Sequence, residues 1–348
     1  MNDRLKAPFP WFGGKSMAAK LVWSRFGDCK NYVEPFAGSL AVLLARPHWP
    51  FCGAVRVETV NDRDAYVANA WRAIAADPDA VAVHADNPVN ECDLHARHAW
   101  LHRQAEHVER LKCDPEYYDA RIAGYWVWGL SSWIGDNFCR PRPQGSVPHL
   151  GDPGMGVNRQ LPHLGDPGKG VNRQLPHLGN PGKGVNRQLP GCADGDGATP
   201  VGGCEDRRAR LLAYMRSLSD RLRGVRVCCG DWTRVCTPSV THRHGVTGVL
   251  LDPPYDVAGM DYGESSRGLS GRVREWALEA GKNPLMRVAL CGYADEDHGA
   301  NLPGWECVAW RAGGGYNNIG DGANRRRERI WFSPACLPAA AEQGELEL

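Results

Sequence analysis

The tetrapeptide Asp252-Pro253-Pro254-Tyr255 directly follows the apolar run Gly248 to Leu251 and is the strongest candidate for a reactive site. Two consecutive prolines fix φ and remove two N–H donors. The result is a rigid turn that offers two acceptors, the Asp252 carboxylate and the Pro253 carbonyl. These suit an amine with two N–H groups, such as the exocyclic amine of a nucleobase, and Tyr255 adds a flat face for stacking a base. An ordinary Pro-Pro turn after a strand is the alternative interpretation.

Residues 34–39 read Glu-Pro-Phe-Ala-Gly-Ser and lie between a short strand, Tyr32-Val33, and a helix-like apolar run, Leu40 to Ala45. An acid at a strand end followed by a turn of small residues lets a ligand approach the backbone closely. The segment lacks the full Gly-x-Gly-x-x-Gly pattern, so dinucleotide binding is not favoured. We expect a ligand-binding loop formed by Glu34, Pro35, Phe36, Gly38 and Ser39.

Other polar and aromatic residues occupy comparable positions. Asp62 ends the next strand and is placed to hold ribose hydroxyls, with a helix N-cap as the alternative role. Asp231 and Trp232 come directly after another strand, which brings a further acid to the same sheet edge. The segment Trp11 to Lys15 combines an aromatic ring, a flexible turn and a cation, and can bind a carboxylate next to an apolar group.

The elements that must position these residues alternate between strand and helix. A strand at Val55 to Val60 and a helix at Ala65 to Ala76 continue the order of strand, glycine turn, helix, strand and acid, which is typical of a doubly wound, Rossmann-like α/β sheet. The pattern returns at residue 225, with predicted strands at Val225–Cys229, Gly248–Leu251, Val288–Cys291, Glu306–Arg311 and Glu328–Phe332. Residues 1–85 and 225–348 are therefore predicted to form one catalytic domain.

Residues 86–224 are predicted to form an insertion that is mainly helical. Periodic apolar residues indicate helices at Leu94–Leu111, Tyr117–Trp133 and Arg207–Arg223. Between the last two lies a fourteen-residue sequence that occurs three times over residues 148–189, with three glycines and a Pro-Gly step in each copy. Such a composition excludes a helix.

The bulk composition limits the class of protein. Of 348 residues, 43% are hydrophobic, enough for a core, and the net charge of +1 does not exclude a nucleic-acid partner, because a basic face can be offset elsewhere. The 13 cysteines include no Cys-x-x-Cys pair, which favours free thiols in a reducing cytoplasm and no metal. No segment resembles a signal peptide or a membrane span, so we expect a cytoplasmic protein.

In order along the chain, these motifs resemble the Dam-type, D12 class of DNA adenine N6-methyltransferases. The resemblance implies S-adenosyl-L-methionine as cofactor, double-stranded DNA as partner, no metal, and a monomer or homodimer. It also implies roles for the matching positions. The catalytic residues would be Asp252, Pro253, Pro254 and Tyr255, and the cofactor-binding residues Trp11, Gly14, Lys15, Glu34, Pro35, Phe36, Gly38, Ser39, Asp62, Asp231 and Trp232.

The resemblance is weaker in the inserted region, where the family places target recognition. Residues 132–140 are loosely similar to its DNA-contacting segment, and the repeats resemble insertions of phage and prophage members. Residues 140–187 contain seven Lys or Arg and two Asp, a bias that suits phosphate contacts, although a solvated loop is an equal alternative. The DNA-binding candidates are Trp133, Asn137, Arg140, Arg159, Lys169, Arg173, Lys183, Arg187, Arg325, Arg326 and Arg327.

The expected reaction is direct methyl transfer to N6 of an adenine that is flipped out of the duplex, with site specificity. The nearest alternative is an N4-cytosine methyltransferase, which carries out the same chemistry on a different amine. A protein or RNA methylase and a catalytically silent DNA-binding protein are further alternatives. The intact Asp252-Pro253-Pro254-Tyr255 tetrapeptide argues against the silent protein.

Overall fold

A computed structural model describes residues 5–11, 13–51, 53, 55–114, 116–133, 138–139, 204–254, 268–293, 302–310 and 328–339. The helices within these residues are α1 (Ala19–Phe26), α2 (Ala41–Leu44), α3 (Ala65–Ala76), α4 (Pro78–Ala85), α5 (Glu91–His102), α6 (Ala105–Cys113), α7 (Ala120–Ser132), α8 (Cys204–Leu222) and α9 (Leu269–Ala280). The strands are β1 (Asn31–Glu34), β2 (Val57–Asp62), β3 (Val225–Cys229), β4 (Thr247–Leu251), β5 (Met286–Tyr293), β6 (Glu306–Ala309) and β7 (Glu328–Phe332). None of these helices is long and apolar enough to span a membrane.

The seven strands form one mixed sheet in the order β3-β2-β1-β4-β5-β7-β6. Strands β1 to β5 pair in parallel, whereas β7 runs antiparallel to both β5 and β6. The predicted α/β class is thus confirmed. Every residue of β1 and β4 is buried, as expected for central parallel strands covered on both faces.

The order of the sheet reverses between β1 and β4, which are neighbours although β2 and β3 lie between them in the sequence. Such a switch point opens a crevice at the carboxyl ends of the strands, where α/β proteins bind their ligands. Glu34 is the last residue of β1, and Asp252 directly follows β4. The sheet topology therefore brings the two strongest sequence motifs to one edge.

An apolar core fixes the central strands on one face of the sheet. Val33, Val249 and Val288 of three neighbouring strands pack with Val273 and Ala277 of α9, and all five are fully buried. Burial of each such side chain contributes about 1.5–3 kcal/mol, so the strand ends that hold the polar motifs have a stable base.

The chain divides into two compact units. The first contains residues 13–63 and 224–348 and holds the sheet; the second contains residues 5–12 and 64–223, and its described elements are α3 to α8. The longer segment of the second unit starts at residue 64, whereas the predicted insertion starts at residue 86. Side-chain bonds explain this: Ser219 of α8 donates to the Ala75 carbonyl at 2.8 Å, and Arg216 forms two bonds of 2.7 Å with Asp79 of α4.

The predicted helix over Leu94–Leu111 is two helices, α5 and α6. Gln104 separates them with a non-helical backbone, at φ −83° and ψ 53°. Its side-chain amide donates to the Trp100 carbonyl at 2.9 Å, and the Tyr66 hydroxyl donates to the Leu101 carbonyl at 2.7 Å. These bonds satisfy the last carbonyls of α5, so the helix can end inside a continuous apolar pattern.

Candidate active site

Lys15 is the centre of a buried charged cluster next to the end of β4. Its Nζ donates to the Gly13 carbonyl at 2.9 Å and lies 2.9 Å from Oδ1 of Asp252. Oε2 of Glu328, the first residue of β7, is 3.9 Å away, and the Trp310 ring centroid is 5.6 Å away. Only 4% of the Lys15 side chain is exposed, so these groups replace water as its partners.

The pKa values in this cluster follow from burial and charge. Burial by itself lowers the pKa of Lys15, but the Asp252 carboxylate and other acidic groups raise it above its usual range, so the ammonium stays charged. Burial also raises the pKa of Glu328, which the nearby ammonium of Lys15 partly offsets. The Cys291 thiol, buried on β5, has a pKa well above its usual value. Lys15 and Asp252 therefore form the main ion pair of the cluster.

Glu34 is a second buried acid at this edge. Its side chain is at the end of β1, where the Tyr32 hydroxyl donates to Oε2 at 3.0 Å. Burial raises the pKa of Glu34 to about 8; the bond from Tyr32 opposes the shift, and the Asp252 charge adds to it. The carboxyl is therefore largely protonated at pH 7, and a cationic ligand would favour its ionised form.

Asn61 joins the loops that follow β1 and β3. The Asn61 side-chain amide donates to the carbonyls of Pro35 and Gly230, both at 3.0 Å, and the Asn61 backbone carbonyl accepts from the Ala37 N–H at 2.8 Å. Because Asn61 is buried on β2, it fixes both loops to the sheet. The sequence patterns assigned no role to Asn61.

Asp62 is tied to the glycine turn. The Gly38 N–H donates to its Oδ2 at 2.9 Å, so the carboxylate holds the predicted cofactor loop against the end of β2. The alternative role of Asp62 as a helix N-cap is wrong, because the cap of α3 is Asp64, whose side chain accepts from the Tyr66 N–H at 2.8 Å. Asp62 is partly exposed and can reach a ligand while it keeps this bond.

Phe36 and Trp232, from the two predicted cofactor loops, stack on each other with centroids 6.1 Å apart and planes at 29°. Next to them, Asp231 caps a short 3-10 turn and accepts from the Thr233 N–H at 3.0 Å and the Thr233 hydroxyl at 2.6 Å. These bonds lower the pKa of Asp231, which is exposed and ionised. The loops after β1 and β3 thus combine an aromatic surface with an anion.

Some predicted residues belong to the second compact unit or lie outside the described residues. Trp11 belongs to the second compact unit, where its ring contacts Phe9 at 6.0 Å and Trp126 at 6.2 Å. Trp133, also in that unit, is buried and packs against His98, so it has a packing role there. The predicted residues outside the described part of the chain are Tyr255, Asn137, Arg140, Arg159, Lys169, Arg173, Lys183, Arg187, Arg325, Arg326 and Arg327.

The first unit contains the other predicted residues and several that were not predicted. Glu328, Cys291 and Tyr32 surround Lys15 or Glu34 but had no assigned role. The signal for Glu328 was a charged residue that is buried in a strand whose last three residues are apolar, a position that a buried partner can stabilise. The remaining predicted positions, Gly14, Ser39, Pro253 and Pro254, belong to the same unit.

Comparison with known proteins supports one family. Residues 11–123 match the family described as D12 class N6 adenine-specific DNA methyltransferase. The match spans the motifs that contain Lys15, Glu34 and Asp62, whereas Asp231 and Asp252 lie beyond it. The comparison with curated proteins found no similar sequence.

Proposed function

We propose that this protein transfers a methyl group directly from S-adenosyl-L-methionine to a flipped-out adenine. Residues 11–123 identify the chain as a member of the D12 class of N6 adenine-specific DNA methyltransferases. The enzyme methylates N6 of adenine in DNA. We further propose that S-adenosyl-L-methionine is the methyl donor, that the adenine is extrahelical during transfer, that the DNA site is specific, and that the residues discussed below carry out the reaction.

The observation that carries the proposal is the Lys15–Asp252 ion pair at the switch point of the sheet. The ammonium fixes the orientation of a carboxylate that directly precedes Pro253 and Pro254. Prolines lack N–H donors, so this turn presents acceptors without competing donors. Two acceptors on a rigid turn match the two hydrogens of the adenine N6 amine.

The acceptor groups would act through hydrogen bonds. The Asp252 carboxylate and the Pro253 carbonyl would accept the two N6 hydrogens and turn the nitrogen lone pair out of conjugation with the ring. Fixed acceptors of this kind need little reorganisation during the reaction. Asp252 need not act as a full base, because the proton can leave after transfer. Tyr255, outside the described residues, would stack on the extrahelical base.

The residues around the glycine turn fit S-adenosyl-L-methionine, which would supply an electrophilic methyl group when bound. Asp62 would accept from the ribose hydroxyls, and the stacked rings of Phe36 and Trp232 offer an apolar surface for the adenine moiety. Glu34, protonated in the free protein, would ionise beside a cationic group. Lys15 holds Asp252, so its role in this proposal is to position the acceptor rather than to bind the cofactor carboxylate.

We assign catalysis to the first compact unit and recognition of double-stranded DNA to the predicted insertion, residues 86–224. A single base-modifying domain needs a separate surface to read sequence, because the target base itself leaves the stack. The basic bias of residues 140–187 supports this division, and those residues lie outside the described part of the chain. Either a monomer or a homodimer is compatible with it.

The function is tested by methyl transfer from labelled S-adenosyl-L-methionine to genomic DNA, followed by nucleoside analysis. We expect N6-methyladenine from the wild-type protein, none from Asp252→Ala, and normal yield from Glu275→Ala, an exposed acid on α9. Sequencing of the modified DNA then identifies the site. N4-methylcytosine as the product, or label in RNA or protein instead of DNA, contradicts the proposal.

A further inference from the structure

Helix α5 and residues 138–139 bring together three side chains of types that can bind a metal ion, within the second compact unit. His98 and His102 are four residues apart on α5, so they lie on one face of the helix. Cys139 carries a free thiol and lies against them. The three ligand atoms of these residues are all within 4.8 Å of one another.

Aromatic packing holds this cluster in place. The His98 ring is buried and makes an edge contact with Trp133, at 4.7 Å between centroids, and lies 5.0 Å from Phe138. Phe138 in turn packs onto α7 at Gly129, where a Cβ atom would come within 2.0 Å of the ring. A glycine at this point lets Phe138 seat on α7 and places the adjacent Cys139 at α5.

We propose that Nε2 of His98, Nε2 of His102 and Sγ of Cys139 bind one zinc ion. Two imidazoles and a thiolate are ligands that zinc prefers, and three protein ligands leave one tetrahedral position for water. The two Nε2 atoms are 2.8 Å apart. Two nitrogens on one zinc ion are ~3.3 Å apart, as follows from tetrahedral geometry, so only a small shift is required. His102 is partly exposed and gives the ion access from solvent.

Zinc binds cysteine as the thiolate, so the Cys139 thiol must lose its proton when the ion binds. Binding of zinc forms the S–Zn bond and releases the thiol proton to solvent, so uptake of the ion is coupled to loss of one proton.

Such an ion would hold Phe138 and Cys139 against α5, independently of the proposed methyl transfer. It also replaces the expectation of no metal, which depended on the missing Cys-x-x-Cys spacing. The signal in the sequence was the spacing of His98 and His102 on a predicted helix. Two histidines one turn apart on a helix are a frequent part of zinc sites.

The experiment measures zinc by mass spectrometry in the full chain, purified with an affinity tag that contains no histidine and without chelators. We expect about one zinc ion per wild-type chain. The zinc content of Cys139→Ser and of His102→Ala should be lower by roughly tenfold or more. Cys92→Ser is the matched control, because Cys92 is an exposed cysteine on the same helix. It should retain zinc.

A second measurement covers variants that fold poorly. Cobalt(II) is added to metal-free wild-type protein, and charge-transfer absorption from a cobalt–thiolate bond is recorded. The band should appear in wild type and Cys92→Ser and be missing in Cys139→Ser. A wild-type protein that binds neither ion, or a Cys139→Ser variant with full zinc content, overturns the proposal and leaves a hydrogen bond between His98 and His102.

Discussion

Nζ of Lys15 lies 2.9 Å from Oδ1 of Asp252, which joins the N-terminal segment of the first unit to the turn after β4. Lys15 is almost fully buried, whereas Asp252 keeps 22% of its side chain exposed. The ammonium is thus enclosed by protein, whereas part of the Asp252 side chain is accessible to solvent. This asymmetry is what a positioning residue and an acceptor residue require.

Replacing Lys15 with Met tests this relationship. The variant leaves the acids around it without their cation, and breaking a mostly buried ion pair typically costs about 3 kcal/mol. We expect the Lys15→Met variant to be less stable in urea denaturation. We also expect its methyl-transfer rate to fall by roughly tenfold or more, since each 1.36 kcal/mol of lost transition-state stabilisation lowers the rate tenfold. Lys20→Met, an exposed lysine on α1, is the control.

The double variant Lys15→Met with Asp252→Asn separates charge from packing. Removing both charges should recover part of the stability lost in Lys15→Met, because the uncompensated carboxylate is gone. If the loss of stability in the double variant equals the sum of the losses in Lys15→Met and Asp252→Asn, the ion pair does not stabilise the fold. If Lys15→Met keeps full activity, Lys15 does not position Asp252.

Glu34 predicts a pH dependence of stability. Its pKa is raised from the ordinary value of 4.5 to about 8 in the folded protein. Between these values the folded state holds a proton that the unfolded state releases, so this group makes stability fall as pH rises through that window. Glu34→Gln should remove the effect. The melting temperature of the variant minus that of wild type should therefore be larger at pH 9 than at pH 6.

The measurement is thermal unfolding of both proteins across this range of pH, with Glu275→Gln as the control for an exposed acid. The difference between wild type and Glu34→Gln should change by several degrees, since ~1 kcal/mol shifts the melting temperature by about 2–4 °C in a domain of 150–250 residues. A difference that is independent of pH means that Glu34 is ionised in the folded protein.

The sequence predicts the positions of Glu34, Asp62, Asp231 and Asp252, because a short apolar run followed by a turn signal marks the end of each strand. It does not predict that Lys15 pairs with Asp252, since pairing depends on which strands become neighbours. Glu328 lies near Lys15 only because β7 inserts between β5 and β6. Likewise, the end of α5 depends on the distant hydroxyl of Tyr66, which no local pattern contains.

Asp62 should contribute to binding of the cofactor through its charge. Asp62→Ala is expected to weaken S-adenosyl-L-methionine binding by about 1.5–3 kcal/mol, because it removes a charged acceptor and releases the Gly38 N–H. Asp62→Asn keeps an acceptor for Gly38 and should retain part of the affinity. Calorimetry provides both values, and unchanged affinity in Asp62→Ala would remove Asp62 from the cofactor site.

The fourteen-residue repeats, outside the described residues, should contact DNA phosphates. Deleting Pro162 to Leu175 removes Lys169 and Arg173, so it should weaken binding to all DNA sequences similarly and flatten the salt dependence by about 0.9 for each lost phosphate contact. A Lys169→Gln, Arg173→Gln variant keeps the length and should show the same slope. An unchanged plot of log affinity against log salt supports a solvated linker instead.

Asp252→Ala should abolish methyl transfer while binding of the cofactor and of DNA persists. The Asp252 carboxylate would matter most as the N6 lone pair develops toward the methyl group, and loss of one such preorganised contact typically lowers the rate by ~10²-fold or more. Tyr255→Ala should lower the rate as well, but part of its loss should appear as weaker base flipping, because stacking on an aromatic ring contributes about 1–3 kcal/mol per base.

The two losses are distinguished by a DNA substrate in which 2-aminopurine replaces the base next to the target adenine, so that extrusion of the target raises its fluorescence. Asp252→Ala should show a normal fluorescence change and little methylation, whereas Tyr255→Ala should show a smaller change. Labelled methyl transfer in a single turnover gives the rates. If Asp252→Ala retains near-normal activity on adenine, the acceptor turn is not the catalytic element, and the ion pair with Lys15 has only a structural role.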